Sequence, residues 1–197
     1  MTDWSLGSLF TGRLVRLAAR QAEDNTSLSR WSEDAEFTRL MMGHPAVPRP
    51  PEAFEDKKDH RDDGRHFNFT FRTIADDKLI GYGGLEMSWS NQEAHLWIGI
   101  GEPEYRGKGY GTDAMHLLVN YAFRELGAYR VSLNVFGFNL RAMHVYEKLG
   151  FVNEGAKREA IYRDGQRFDD YSMSLLRPEW EVLEHYQTVQ VVPELAG

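Results

Sequence analysis

Residues 95–126 read HLWIGIGEPEYRGKGYGTDAMHLLVNYAFREL, a stretch that joins an apolar segment to an amphipathic one through a glycine-rich, basic loop. The first six residues have the apolar character of a strand. After the loop, apolar residues recur at the i, i+3, i+4 spacing of a buried helical stripe: Met115, Leu118, Val119, Ala122 and Leu126. Gly127 is placed to end that helix. The stretch therefore predicts a strand, a loop and a helix in immediate succession.

The loop between these two elements has the features of an anion-binding site. The first N–H groups of a helix lack intrahelical acceptors, and the helix start carries a partial positive charge. Glycines let a phosphate oxygen approach those N–H groups closely, and Arg106 and Lys108 add positive charge. We therefore expect this loop to bind phosphate.

Two common phosphate-binding motifs do not fit the loop. A Walker A motif needs a Ser or Thr directly after Gly-Lys, where this chain has Gly109 after Lys108. The Gly-x-Gly-x-Gly run is half of a dinucleotide fingerprint, but its third glycine has the wrong spacing and it lies midway along the chain. The spacing thus excludes the ATP-binding motif and disfavours the dinucleotide one.

A second motif follows at residues 139–151, NLRAMHVYEKLGF, after an alternating segment that predicts a strand at 130–135. Arg106-x-x-Gly109-x-Gly111 resembles the acyl-CoA pyrophosphate loop of the GCN5-related N-acetyltransferase (GNAT) superfamily. Residues 139–151 resemble that family's Asn-x-x-Ala-x-x-x-Tyr-x-x-x-Gly-Phe block. The resemblance extends over about residues 67–180. Within it, residues 158–180 resemble the branch that includes the RimJ/RimL-type protein N-terminal acetyltransferases and spermidine acetyltransferase relatives.

The resemblance implies an α/β (α+β) fold with a central mixed, mostly antiparallel twisted sheet flanked by helices on both faces, in a single domain over residues 1–197. The patterns predict strands near 13–17, 67–71 and 79–86, one or two helices within 23–42, a proline-rich loop at 44–51 and a charged helix within 52–63. Asp164-Gly165 predicts a hairpin turn between strands near 160–162 and 171–175. Residues 181–197, with Val189-Gln190-Val191-Val192, are open to three interpretations: an added strand, a dimer contact or a frayed tail.

The activity that the resemblance implies is transfer of an acetyl group from acetyl-CoA to a primary amine, by direct attack in a ternary complex and without a metal. The donor-binding residues that it implies are Gly99, Ile100, Gly101, Arg106, Gly107, Lys108, Gly109, Tyr110, Gly111, Thr112, Asn139, Ala142 and Tyr146. The glycines on either side of Ile100 fit a strand that opens for a ligand or, equally, a simple bulge. Asn139 also suits the N-cap of the following helix.

Amine acetylation needs a general acid for the departing thiolate and a general base for the ammonium. The resemblance puts the Tyr146 phenol near the sulfur as the acid, and the alternative is a tyrosine that simply packs in the core. For the base, His95 stands where many relatives carry Glu, and an ordinary histidine pKa of about 6.5 suits proton uptake near neutral pH. Glu93, on the same strand face, and Glu86, on the neighbouring strand, are alternative bases.

Composition is compatible with this interpretation. The chain has 197 residues and no cysteine, which excludes a disulfide framework and a thiol nucleophile. A formal net charge of −7 disfavours a general nucleic-acid binder and suits a cationic amine, although solubility alone also produces such a charge. No apolar run reaches the roughly 20 residues that span a bilayer, and the first residues lack a secretion signal. We therefore expect a cytoplasmic enzyme without a membrane partner, and a homodimer by analogy with the family.

The sequence leaves two other functions possible, and it does not identify the acceptor. The chain could be a noncatalytic acyl-CoA-binding or regulatory module of the same fold, or a nucleotide-binding regulator. The acceptor could be a protein N-terminus, a polyamine, an amino acid or a drug, and each would meet the poorly patterned residues 31–65. Acidic residues in that region suit either a cation or a solvated surface: Glu33, Asp34, Glu36, Glu55 and Asp56.

Overall fold

The computed structural model describes residues 9–55 and 64–190, with the side chains described as far as residue 183. The strands are β1 (Val15–Ala18), β2 (His66–Thr73), β3 (Leu79–Ser88), β4 (Glu93–Ile100), β5 (Arg130–Phe136), β6 (Val152–Arg163) and β7 (Gln166–Leu176). The α-helices are α1 (Asp24–Ser32), α2 (Ala35–Met41), α3 (Tyr110–Asn120), α4 (Leu140–Lys148) and α5 (Arg177–Gln190). A π-helical turn, Tyr121–Glu125, continues α3.

The seven strands form one sheet in the order β1-β2-β3-β4-β5-β7-β6. Every neighbouring pair is antiparallel except β4 and β5, which run parallel. This confirms the predicted mixed, mostly antiparallel sheet. The parallel pairing covers only three residue pairs, from Glu93↔Arg130 to His95↔Ser132. Beyond His95 the two strands diverge, so the sheet opens between them.

Helices cover both faces of the sheet, as predicted. On one face, α3 and its π-helical turn bury Met115, Leu118 and Ala122 against the large hydrophobic core of the sheet. On the other face, α1 and α2 form a smaller core around Trp31 and Phe37. The predicted apolar stripe of α3 is therefore confirmed, and its burial fixes the helix start beside the end of β4.

Three predicted elements differ from the structure. Strands β6 and β7 are longer than the hairpin segments around Asp164-Gly165, because β7 pairs with β6 from Gln166 to Ser174 and with β5 from Asp170 to Leu176. Of the segment 52–63, which was predicted to contain a helix, the described residues form one 3₁₀ turn, Pro51–Phe54, and residues 56–63 lie outside the described part. An added strand was one of the interpretations of residues 181–197. This interpretation is wrong for residues 189 and 190, because they belong to α5. Trp180 anchors this helix by stacking on Phe123, with ring centroids 5.0 Å apart. Residues 191–197 lie outside the described part.

Candidate active site

A cavity of about 420 Å³ lies where β4 and β5 diverge. Its walls are β4 from His95 to Ile100, the end of β5, the loop before α3, the first turns of α4 and part of α2. The candidate residues that line it are His95, Gly99, Ile100, Arg106, Gly107, Gly109, Gly111, Thr112, Asn139, Ala142 and Tyr146. The candidates that do not line it are Glu86, Glu93, Gly101, Lys108 and Tyr110. The divergence thus brings two separate sequence motifs to one cavity.

The glycine-rich loop presents backbone N–H groups at one end of this cavity. Gly107 and Gly109 have positive φ angles of 75° and 90°, which side-chain-bearing residues rarely adopt. Helix α3 begins directly afterwards, and no side chain caps it. The N–H groups of its first residues therefore have no intrahelical acceptor, a geometry that suits a phosphate oxygen. The loop therefore has the geometry of an anion-binding site, and its contact with the pyrophosphate of an acyl-CoA stays a prediction.

The Arg106 side chain supports the loop from inside the protein. Its guanidinium donates to the carbonyl oxygens of Ile100 (3.0 Å) and Gly101 (2.7 Å) and to the Asp34 carboxylate (2.8 Å). It also lies over the Phe37 ring, 5.3 Å from the centroid. These contacts join the end of β4 to the start of α2. The sequence suggested that the Arg106 guanidinium adds positive charge for a phosphate. In the structure its hydrogen bonds go to acceptors of the protein itself.

A second arginine, Arg141, borders the same cavity and was given no role by the sequence motifs. A Cβ at position 107 would lie 3.8 Å from its Nη1 atom, so this cation reaches the glycine-rich loop. Arg141 falls inside the second sequence motif, so the sequence could have suggested it. The position of Arg141 beside the loop, however, depends on the packing of α4. Arg141 is a candidate phosphate ligand.

The glycines on either side of Ile100 serve the packing of α1 and α2. A Cβ at Gly101 would lie 2.1 Å from the Trp31 ring, and one at Gly99 would lie 2.5 Å from Met41 Sδ. The register between β3 and β4 is continuous along all eight residues of β4, so the interpretation as a simple bulge is wrong. β4 separates from β5 after His95, in agreement with a strand that opens, and its opening for a ligand stays a prediction.

Tyr146 lies on α4 and faces the cavity. Its ring packs against the core, 6.1 Å from the Phe151 ring, and burial raises its pKa to about 12. The phenol is therefore protonated at neutral pH. Its hydroxyl makes no hydrogen bond to the described residues, so the proton is available to a ligand in the cavity.

Asn139 begins the same helix and caps it. Its side-chain oxygen accepts a hydrogen bond from the Ala142 N–H at 3.3 Å, which confirms the interpretation as an N-cap. Both residues also line the cavity. Their contact with the coenzyme stays a prediction.

His95 lies at the last position of β4 that pairs with β5, opposite Ser132, and it also pairs with Glu86 on β3. Burial lowers its pKa from the ordinary 6.5, and the carboxylates of Glu93, Glu86 and Asp170 oppose this shift. The imidazole is therefore mostly neutral at pH 7 and able to accept a proton. It lines the cavity, whereas Glu93 does not.

The Glu93 carboxylate is engaged elsewhere. Arg130 Nε donates to it at 3.0 Å, and the hydrogen bond from the Ser132 hydroxyl, followed by that from Arg130, lowers its pKa below 4.5. A carboxylate with a lowered pKa is a weak base, and this one lies outside the cavity lining. The geometry thus favours His95 over Glu93 as the base.

Two further properties concern only the described part of the chain. Residues 9–55 and 64–190 contain no group of three or more His, Asp or Glu side chains that could hold a metal ion. None of the helices described is both long enough and apolar enough to cross a membrane.

The mixed sheet that opens beside a glycine-rich helix start agrees with the acyl-CoA site of an acyltransferase, the class that the family resemblance implies. Residues 14–152 match the family model described as acetyltransferase (GNAT) domain. The chain belongs to this family.

Similar proteins agree with this assignment. The chain is 28% identical to a probable N-acetyltransferase, YjcK, of Bacillus subtilis, over 84% of this chain and 93% of the relative. It is 30% identical to spermidine N(1)-acetyltransferase of Escherichia coli, over 78% of this chain and 86% of the relative. The crystal structure of spermidine N-acetyltransferase from Vibrio cholerae in complex with CoA and spermine superposes with a TM-score of 0.76 at 25% identity, over 85% of this chain and 98% of that one. The protein is an acetyl-CoA-dependent N-acetyltransferase that acts on amines.

Proposed function

We propose that the acceptor is a small aliphatic polyamine, acetylated on a primary amino group by direct attack in a ternary complex. One observation carries the proposal: a single cavity joins the loop before α3 to Tyr146 and His95, at the point where β4 and β5 diverge. The donor and the amine can therefore meet beside a proton acceptor and a proton donor.

The donor would lie along the opening of the sheet. The N–H groups of Gly111 and Thr112 would bind the pyrophosphate, with Arg141 as the nearby cation. Backbone N–H groups of β4 after His95 have no partner on β5, so they would bind the pantetheine and the developing oxyanion. Arg106 would act indirectly, by holding the end of β4 and the loop together.

The two proton transfers would fall to His95 and Tyr146. His95 would take a proton from the acceptor ammonium, which gives the neutral amine that attacks the acetyl carbonyl. Tyr146 would donate its phenolic proton to the sulfur as the carbon–sulfur bond breaks, so that CoA leaves as a thiol. The tyrosinate would then take the remaining extra proton from the acylated nitrogen, which leaves a neutral amide and a protonated Tyr146. The raised pKa of Tyr146 supports this role, because the phenol still carries its proton at the pH at which the amine reacts.

The charges around His95 support a cationic acceptor. The carboxylates of Glu93, Glu86 and Asp170 all act on the imidazole electrostatically, and Asp170 is only 13% exposed. A polyamine keeps further positive charges after one amino group has been deprotonated, and the carboxylates of Glu86 and Asp170 would attract them, whereas Glu93 is already paired with Arg130. Relatives that act on spermidine, at 30% identity, support the same acceptor class.

Several narrower predictions belong with this proposal. We infer that the chain lies in the branch that includes the RimJ/RimL-type enzymes and the spermidine acetyltransferases. A cytoplasmic location and a homodimer also stay predictions. A protein N-terminus is the second candidate acceptor, since the RimJ/RimL-type enzymes act on it.

The test is acetyl-CoA turnover with a panel of amines, followed as release of free thiol. The panel contains a triamine, a diamine, an amino acid, a short peptide with a free N-terminus and an aminoglycoside. We expect the polyamines to have the highest kcat/KM. Gly109→Val, which forces a branched residue into the left-handed region, should weaken acetyl-CoA binding first. Preference for the peptide would replace the polyamine by the second candidate, and tight acetyl-CoA binding without transfer to any amine would favour the noncatalytic module.

A further inference from the structure

Ser132 lies between the two titratable groups of β4. Its Oγ atom is 3.3 Å from His95 Nδ1, and the Ser132 hydroxyl is also the main cause that lowers the pKa of the Glu93 carboxylate. The serine is directly opposite His95 in the parallel pairing, at the last position before the strands diverge, and it is only 6% exposed. A buried hydroxyl with two partners of different chemistry has a defined hydrogen-bond direction.

Glu93 determines that direction. Its pKa is lowered, so the group is a carboxylate at neutral pH and can only accept hydrogen bonds. A hydroxyl has one proton to donate, and a hydrogen bond to a charged acceptor is the stronger of the two available. The Ser132 proton therefore points to Glu93. Its oxygen is left as an acceptor for His95 Nδ1, which must then carry a hydrogen.

We propose that Ser132 is a positioning residue that holds His95 in the Nδ1–H tautomer, which leaves the lone pair of Nε2 free for the acceptor ammonium. The inference rests on the proposed function in one respect, the role of His95 as the base. Nε2 itself makes no hydrogen bond within the described part of the chain, and His95 lines the cavity.

The remainder of the network fixes the Glu93 carboxylate in place. Arg130 binds Glu93 through Nε and Glu154 through both terminal nitrogens, and Ser174 donates to Glu154 at 2.8 Å. These contacts span β4, β5, β6 and β7 at the closed end of the opening. Glu93 thus has a structural part in orienting the base, although it does not face the cavity.

The proton transfer from the acceptor ammonium to His95 is balanced without a further partner. The N–H bond of the ammonium breaks, an N–H bond forms at Nε2, and the electron pair of the broken bond stays on the amine. The imidazolium retains its Nδ1–H bond to Ser132, so neither Ser132 nor Glu93 takes up a proton. The imidazolium is stabilised by the carboxylates that face it: Glu86 from β3, Glu93 from its own strand and Asp170 from β7.

The tautomer is measured directly by ¹⁵N NMR of the histidine-labelled protein without substrates, at a pH where His95 is neutral. His95→Gln identifies the signals. We expect a pyridine-type shift for Nε2 and a pyrrole-type shift for Nδ1 in the native protein. Ser132→Ala should give averaged shifts of a tautomer mixture, and Ser132→Thr should restore the native pattern because it keeps the hydroxyl. Thr70→Val is the matched control, since it removes a buried hydroxyl on β2 that donates to the Ala18 carbonyl oxygen, outside the network that fixes Glu93 and outside the cavity.

Kinetics provide the second readout. We expect Ser132→Ala to lower kcat about tenfold, which corresponds to the loss of roughly one net hydrogen bond, with KM for acetyl-CoA unchanged. Ser132→Thr should recover most of that loss. A pyrrole-type Nε2 in the native protein would overturn the inference, and so would native shifts and native kcat in Ser132→Ala. The NMR result does not depend on turnover. Absence of acetyl transfer together with the expected tautomer would therefore overturn the proposed function alone.

Discussion

Replacing Tyr146 by phenylalanine separates catalysis from stability in this fold. The substitution removes one hydroxyl and keeps the ring that packs near Phe151 and the core. Because the hydroxyl has no hydrogen-bond partner among the described residues, its loss breaks no protein contact. We therefore expect the free energy of unfolding to change by less than about 0.5 kcal/mol and Tm by less than about 2 °C.

The catalytic effect should be much larger. A positioned general acid contributes typically about 10²- to 10⁴-fold, which corresponds to roughly 3–5 kcal/mol of activation free energy. We expect a loss of this size in the single-turnover rate of acetyl transfer, because only the protonation of the leaving sulfur is lost. The dissociation constant of acetyl-CoA, measured by calorimetry, should stay within about twofold of the native value.

Tyr121→Phe is the matched control. Tyr121 is also partly buried, and burial raises its pKa as well, but it does not line the cavity. Its variant should retain the native transfer rate. A transfer rate for Tyr146→Phe within twofold of the native rate would refute the general-acid role. A loss of rate accompanied by an equal loss of stability would indicate a packing role instead.

Three further predictions concern packing and pH. Gly101→Ala would place a methyl carbon 2.1 Å from the Trp31 ring, so we expect overpacking to cost about 1–3 kcal/mol in urea unfolding, and an unchanged midpoint would contradict this. Burial lowers the pKa of His95, so kcat/KM should rise with pH through an apparent pKa below 6.5. His95→Gln should abolish that limb, and its persistence would exclude His95 as the base. Hydrogen bonds from Arg130 hold the pKa of Glu154 at about 2, so its stabilising contribution is present above pH 4.5 and is lost as pH falls towards 2. Glu154→Gln should flatten the dependence of unfolding free energy on pH in that window, and an unaltered slope would contradict the pairing.

The sequence predicted the parts of the site that depend on local geometry. The loop around Gly107 and Gly109 could be predicted because the positive φ angles and the helix start need glycine at fixed spacing. The N-cap role of Asn139 is local too, since its partner is Ala142, three residues away. An opening strand was one of two interpretations of the glycines on either side of Ile100, and in the structure β4 separates from β5 after His95.

Contacts between distant segments could not be predicted in this way. Arg106 meets Asp34 across 72 positions of the chain, so its side chain looked like a phosphate ligand when only the loop was considered. Ser132 gave no signal, because a serine on an alternating strand has no motif of its own. It became relevant only when the parallel register placed it opposite His95. Arg141 depended in the same way on the packing of α4 beside the loop.

The most direct test of the central claim follows an isotope label from acetyl-CoA to the amine. The native protein is incubated with acetyl-CoA labelled with ¹³C in the acetyl group and with a triamine, and the products are identified by mass spectrometry and NMR. We predict a triamine with a labelled acetyl group on a primary nitrogen, together with an equal amount of free CoA. His95→Gln should bind acetyl-CoA normally and form this product far more slowly. Labelled acetate without labelled amine would contradict the account.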